Sequence, residues 1–240
     1  MGENQKSDFL LPMSILVAGA LISGSIVYLV GSKNQTAGLN PNRELAQVGA
    51  DRKNLPEISS RDVILGEPKA PVSLIEYGDY QCPWCGKFFD ETEASLRNEY
   101  IQTGKVKMVY RNFAFLGPES FAAAEAAECA KDQSQFWAFH DAIYEAEVAE
   151  VKNRIQNENN GNLTREFFLK TASNLKLDTK AFTTCFDSKK YETQIKQDND
   201  AGRAAGVTGT PGLFVNGQQV GGFVPFASLK ASIDSFLKTN

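Results

Sequence analysis

Phe9 to Val30 is a run of 22 residues without a charge, FLLPMSILVAGALISGSIVYLV. A helix that crosses a bilayer core needs roughly 20 such residues. A secretory signal has an apolar region of only about 7–15. The run therefore predicts one N-terminal transmembrane helix at 9–30, after a short tail at 1–8. Ala18-Gly19-Ala20 leaves a cleaved signal as the alternative. A core helix is disfavoured, because the polar segment that follows gives it nothing to bury against. Gly31 to Ser60 is polar, poor in aromatics and carries Pro41 and Pro56, which reads as a tether. A globular pattern begins at Arg61 and predicts one domain over 61–240.

Within that domain Val72–Tyr77 is a β-prone run after Pro71. Pro83 suits the first turn of a helix, where its missing N–H costs nothing. Phe88, Phe89, Thr92, Leu96 and Tyr100 keep helical spacing to about Thr103, and Gly104 ends it. Lys105–Tyr110 alternates as a second strand. Strand, helix and strand in that order make a βαβ unit with parallel strands. An alanine-rich stretch, Glu119–Glu147, predicts a helix, and the polar Val151–Asn162 a loop. Thr164, Asp178 and Ser188 are placed to cap three further helices, the last running to about Gly206. Positions 117–206 thus read as a helical insertion. Asn216-Gly217 between Gly212–Val215 and Gln218–Gly221 is a strong hairpin signal. Pro225 opens a final helix with Phe226, Leu229, Ile233 and Phe236 on one face.

The 25 basic and 29 acidic residues give a net charge of -4, which argues against a nucleic-acid partner. Lys6 precedes the apolar run, while Lys33 and Arg43 follow it. That distribution does not favour a cytoplasmic N-terminus. The location of the domain must then be argued from its chemistry.

The chemistry lies in Cys82-Pro83-Trp84-Cys85. Residues three apart on a helix share a face, so the two sulfurs can bond. Cys82 sits where unpaired N–H groups and the helix dipole favour a thiolate. Cys85 lies one turn inside and suits the resolving role, so exchange runs through a mixed disulfide on Cys82. Half of a zinc site would need two more ligands. The chain offers a single His, His140, and no second Cys-x-x-Cys. A Cys–His hydrolase using His140 would leave Cys85 unexplained. No metal or cofactor is expected. Trp84 is placed either to tune the pair or to touch substrate.

The run Glu76-Tyr-Gly-Asp-Tyr-Gln-Cys82-Pro-Trp-Cys85, followed by Gly209-Thr210-Pro211-Gly212 before the hairpin, resembles the DsbA-like thiol–disulfide oxidoreductases of the thioredoxin superfamily. The resemblance covers about Ile58 to Lys238, helical insertion included. It implies an α/β thioredoxin fold with a cis Thr210–Pro211 bond packed on the Cys82–Cys85 pair. It also implies that the backbone at Thr210 pairs with substrate like an added strand. Glu76, six residues before Cys82, would be a buried acid that shuttles protons for Cys85. The strong oxidants of the family carry Cys-Pro-His-Cys, and here Trp84 replaces that His.

Cys129 and Cys185 both fall in the insertion. A structural disulfide is the simplest reading, with buried thiols or a second redox pair as alternatives. The expected function is disulfide donation to reduced, newly exported proteins, from a cytoplasmic-membrane anchor with the domain outside, where a reducing cytosol cannot disable it. A membrane quinone-linked reoxidase would restore the disulfide. A reductase or isomerase, or a non-catalytic chaperone on the same fold, are the rivals.

Overall fold

A computed structural model of the protein describes residues 55–153 and 158–238. The apolar run at 9–30 and the tether to residue 54 lie outside the described residues. Among those described, no helix is long and apolar enough to cross a membrane.

Strand β1 (Val72–Gly78) pairs in parallel with β2 (Val106–Asn112) and antiparallel with β3 (Gly212–Val215). A hairpin joins β3 to β4 (Gln218–Gly221), and the sheet order is β2-β1-β3-β4. Asn216 and Gly217 both take positive φ, 47° and 78°, the turn geometry that matches strand twist. β1 is covered on both faces, so six of its seven residues are buried, Glu76 among them. Val72 and Leu74 pack with Phe88, Leu96, Leu229 and Ile233. Ile75 and Tyr77 pack on the opposite face with Val109, Phe113 and Phe214. Side chains of a strand alternate, so Glu76 points to the face of Val72 and Leu74.

That face is covered by helix α1, which follows the first cysteine and runs from Pro83 to Ile101. It is α-helical over Pro83–Phe88 and Ala94–Leu96, and π-helical over Phe89–Glu93 and Arg97–Ile101. A π turn takes in one extra residue and so changes which positions face the sheet. Thr92 and Glu93 are both buried as a result. Phe88, Leu96 and Tyr100 fill the interface, each worth roughly 1.5–3 kcal/mol of burial.

The insertion comprises α2 (Pro118–Lys131), α3 (Phe136–Lys152), α4 (Arg165–Asn174), α5 (Thr179–Asp187) and α6 (Glu192–Ala204). Helix α7 (Phe226–Leu237) closes the chain against the sheet, burying Leu229 and Ile233. The Thr164 hydroxyl accepts from Phe167 N, and the Asp178 carboxylate from Lys180 N and Ala181 N, so both residues cap helices.

Three expectations fail locally. Glu119–Glu147 is two helices rather than one, because Ser134 takes a left-handed φ of 61° between α2 and α3. The expected loop starting at Val151 begins later, since α3 continues to Lys152. Ser188 ends α5 instead of opening the next helix: its N–H bonds back to Thr184 O, and α6 starts after Tyr191.

Candidate active site

The turn between β1 and α1 is held by Asp79. Its Oδ1 accepts from Gln81 N at 2.9 Å, and its Oδ2 from Phe115 N and Leu116 N at 2.8 and 3.1 Å. Its carbonyl accepts from Cys82 N at 3.0 Å. The turn delivers Cys82 as the N-cap of α1, with extended backbone (φ -74°, ψ 118°), and Pro83 follows in the first turn. Cys82 O accepts the first helical bond, from Gly86 N.

Cys82 and Cys85 are both free thiols, yet their surroundings differ. Cys82 Sγ donates to Thr210 O at 3.3 Å, across the cis Thr210–Pro211 bond. Its pKa is lowered to about 6. The Cys85 thiol donating to it is the main cause, helped by Thr210 and the backbone N–H groups of Cys85 and Trp84, against the opposing effect of burial. A thiolate cannot donate to the Thr210 carbonyl. The Thr210 hydroxyl, buried without a partner among the described residues, is the group free to donate to it. Cys85 is fully buried, and burial above all pushes its thiol well above the ordinary value, with Cys82 and Glu76 adding to the shift.

Glu76 is buried on β1, and burial, then the Glu93 charge, raises its carboxyl well above the usual range. Trp84 is 55% exposed. Its ring lies 5.7 Å from Phe223, and Lys87 Nζ stands 5.4 Å from its centroid. Beside it a cavity of about 610 Å³ is lined by Trp84, Thr210, Pro211, Gly221 and Phe223 among others. Cys82, Cys85, Glu76, Trp84, Thr210 and Pro211 therefore meet at one end of the sheet. Cys129 and Cys185 are joined in a disulfide (S–S 1.98 Å) that links α2 to α5 within the insertion.

Five other groups near the pair were not singled out for the site from sequence. Tyr80 OH lies 3.2 Å from His140 Nδ1, and Tyr110 OH lies 3.1 Å from Tyr144 OH. The three tyrosines pack in one buried cluster with Cys82 and Cys85, and the His140 ring lies against all three. Burial, then the Arg97 charge, pushes His140 well below its ordinary value, so it is neutral. Glu93 is the fifth, and it lies deep in the interface. The sequence holds one hint of it, a charge inside the apolar face of α1.

The thioredoxin family model matches residues 59–235. A relative from Bacillus anthracis, "Probable disulfide bond formation protein D", is 30% identical over 238 residues, spanning 98% of this chain and 99% of its own. The crystal structure of oxidised BdbD from Bacillus subtilis superposes with a TM-score of 0.67 at 26% identity, over 77% of this chain and 97% of that one. For Wolbachia pipientis alpha-DsbA1 the TM-score is 0.66 at 25% identity, over 78% and 96%. The chain is a DsbA-like member of the thioredoxin superfamily. In this DsbA-like chain the helical insertion is what roofs the dithiol: Phe136, Phe139, Ile143 and Tyr144 of α3 share one core with Cys82 and Cys85.

Proposed function

We propose that the chain is a thiol–disulfide oxidoreductase that donates its Cys82–Cys85 disulfide to reduced exported proteins. The observation that carries this is the opposite tuning of two thiols one helical turn apart, Cys82 down and Cys85 up. A client thiolate attacks Cys82 Sγ, the Cys82–Cys85 bond breaks, and Cys85 leaves with the electron pair and takes a proton from Glu76. A second client thiolate then attacks the client sulfur of the mixed disulfide and expels Cys82 as a thiolate. The client is oxidised by two electrons and the enzyme reduced by two. Thr210 would hold the client backbone and Trp84 its side chains, with Pro211 shaping the floor between them.

Return to the disulfide needs an external oxidant, for which a quinone-linked membrane reoxidase is the class that fits. The sequence reads as a membrane anchor at 9–30, a tether at 31–60 and a domain at 61–240, and the chemistry of a disulfide donor favours a domain outside the membrane. The end-to-end alignment with the Bacillus anthracis relative supports a shared N-terminal region. A reporter active only after export, fused at Asn240, should be active; activity of a cytoplasmic reporter instead would reverse the orientation.

The function is tested by mixing the oxidised full-length chain, in detergent, with a reduced disulfide-containing protein. One disulfide should pass to the client per dithiol formed. Cys82→Ser should abolish transfer, and Cys85→Ser should accumulate mixed disulfides through Cys82. Trapping through Cys85 in a Cys82→Ser variant would reverse the roles.

A further inference from the structure

We propose that Glu93 is a positioning residue for proton transfer at Cys85, forming with Glu76 a buried two-carboxyl path that reaches solvent at Asp141. The proposal rests on the exchange reaction above.

Glu76 comes from β1 and Glu93 from α1, and each is 1% exposed. Glu76 Oε1 and Glu93 Oε2 have no hydrogen-bond partner among the described residues. Glu93 is the charged group that acts most strongly on Glu76. Its Oε1 accepts from Arg97 Nε at 2.8 Å. The same guanidinium grips Asp141 of α3 through both terminal nitrogens, at 2.7 and 2.6 Å. Asp141 is 28% exposed, so the cluster meets water there.

Counting charge shows why protons must reside inside. Two carboxyls, Glu93 and Asp141, bond to one guanidinium, and a third, Glu76, lies within its electrostatic reach. His140 of α3 has an atom within 4.8 Å of Glu93 and Asp141, and it adds no charge because burial keeps it neutral. Tyr80 is held neutral by its own burial. Arg97 bridges Glu93 and Asp141 through one terminal nitrogen, at 2.6 Å from each. Asp141, wet and doubly bonded to Arg97, keeps the counter-charge. Burying carboxylates without enough counter-charge costs several kcal/mol, so Glu93, which shares Arg97 with Asp141, and Glu76, which no cation touches, hold protons. They hold them unequally. Burial lifts Glu93 to about 7, with Arg97 opposing the rise; burial also raises Glu76 well above its ordinary value, and no guanidinium bonds to it. Glu76 thus keeps a proton for Cys85, and Glu93 exchanges one near neutrality.

The balance is simple. When Cys85 leaves the disulfide, its sulfur takes the Glu76 proton; Glu93 reprotonates Glu76 and is refilled from water past Asp141. In reoxidation the same proton leaves by the reverse route, and no electrons pass through the carboxyls.

The test uses the oxidised full-length chain, whose active-site cysteines are bonded and do not titrate. Its reduction by a small dithiol is timed between pH 5 and 9, with the reductant's own ionisation divided out. The wild type should show an inflection near pH 7. Glu93→Gln should remove it and slow reduction about tenfold at pH 7, while Glu93→Asp should restore it. In a Glu76→Gln background, Glu93→Gln should change nothing further. An unchanged inflection in Glu93→Gln, or full additivity with Glu76→Gln, overturns the path. Should Glu93→Gln fail to fold, reduction-induced infrared difference spectra of the wild type decide: two protonated carboxyls should respond, and a single one overturns the proposal. A wild-type chain that exchanges no disulfide overturns the parent reading as well; exchange with an unaltered profile overturns the path alone.

Discussion

The reduction potential should be set largely by the ionisation of Cys82. That thiol titrates at about 6 against an ordinary 9.0. Its pKa is depressed, so its contribution to the dithiol state is full above pH 9 and is lost as pH falls through 6. At pH 7 about ten thiolates stand for each thiol, and the dithiol form gains about tenfold over one with an ordinary cysteine. Tenfold is about 1.4 kcal/mol, or ~30 mV for two electrons. Above pH 9 the gain should approach about 4 kcal/mol, and at pH 5 it should vanish. Stabilising the dithiol makes the disulfide the stronger oxidant, so the potential at pH 7 should exceed the roughly −270 mV of thioredoxin. Two measurements check this: the pH dependence of alkylation of the reduced chain, and equilibration with glutathione buffers read by thiol trapping. Alkylation should be half-maximal near pH 6 and confined to Cys82. Trp84→His should raise the potential further, by adding a group able to carry positive charge beside the thiolate. An alkylation midpoint near 9 would refute the tuning. A potential at or below thioredoxin's would replace the oxidase with a reductase.

Two further outcomes concern the frame. The Cys129–Cys185 bond closes a loop of 56 positions, which the chain-entropy relation converts to about 4 kcal/mol; Cys129→Ala/Cys185→Ala should lose stability of that order in urea unfolding while still transferring disulfides, and a folded but inactive variant would point to an electron relay instead. Gly202 of α6 lies so close to the sheet that a Cβ would come within 2.6 Å of the Phe113 ring and 3.0 Å of Tyr77, so Gly202→Ala should cost about 1–3 kcal/mol by overpacking, and an unchanged melting temperature would show that α6 can move away freely.

Legibility in the sequence followed from how local each determinant is. The hairpin was readable because Asn216-Gly217 carries the positive φ values in its own composition. The caps at Thr164 and Asp178 were readable because each side chain bonds within three residues of itself. That Cys82 and Cys85 lie within hydrogen-bond reach was readable from their spacing alone. The break between α2 and α3 was hidden, since Asp132-Gln133-Ser134-Gln135 contains no Gly or Pro, and Ser134 takes the left-handed turn all the same. Glu93 was hidden for a deeper reason. Its burial depends on π turns that displace the helical face, and its partner Asp141 lies 44 positions beyond Arg97 on another helix. His140 reads as an ordinary helix residue until Tyr80, Tyr110 and Tyr144 are brought around it.

The same asymmetry that raises the potential also sets how a mixed disulfide on Cys82 partitions. Two attacks compete there. The client's second thiolate can expel Cys82, which completes oxidation, or Cys85 can expel the client thiol, which undoes it. A thiol of lower pKa leaves faster, and Cys82 near 6 is a better leaving group than an ordinary client thiol at about 8.5. The attacking fraction favours the same outcome, because burial is the first cause of the high Cys85 pKa and persists after Cys82 is tied up in the mixed disulfide. Glu76, raised by that same burial, keeps a proton at hand for Cys85. Both effects trace to one feature of the chain: three positions on a helix that starts at Pro83 put one sulfur at the row of N–H donors of its first turn and the other fully inside the core. Trp84 lies between them and points outward beside Phe223, so it offers a surface to the client and leaves that partition to the two cysteines and their carboxyls.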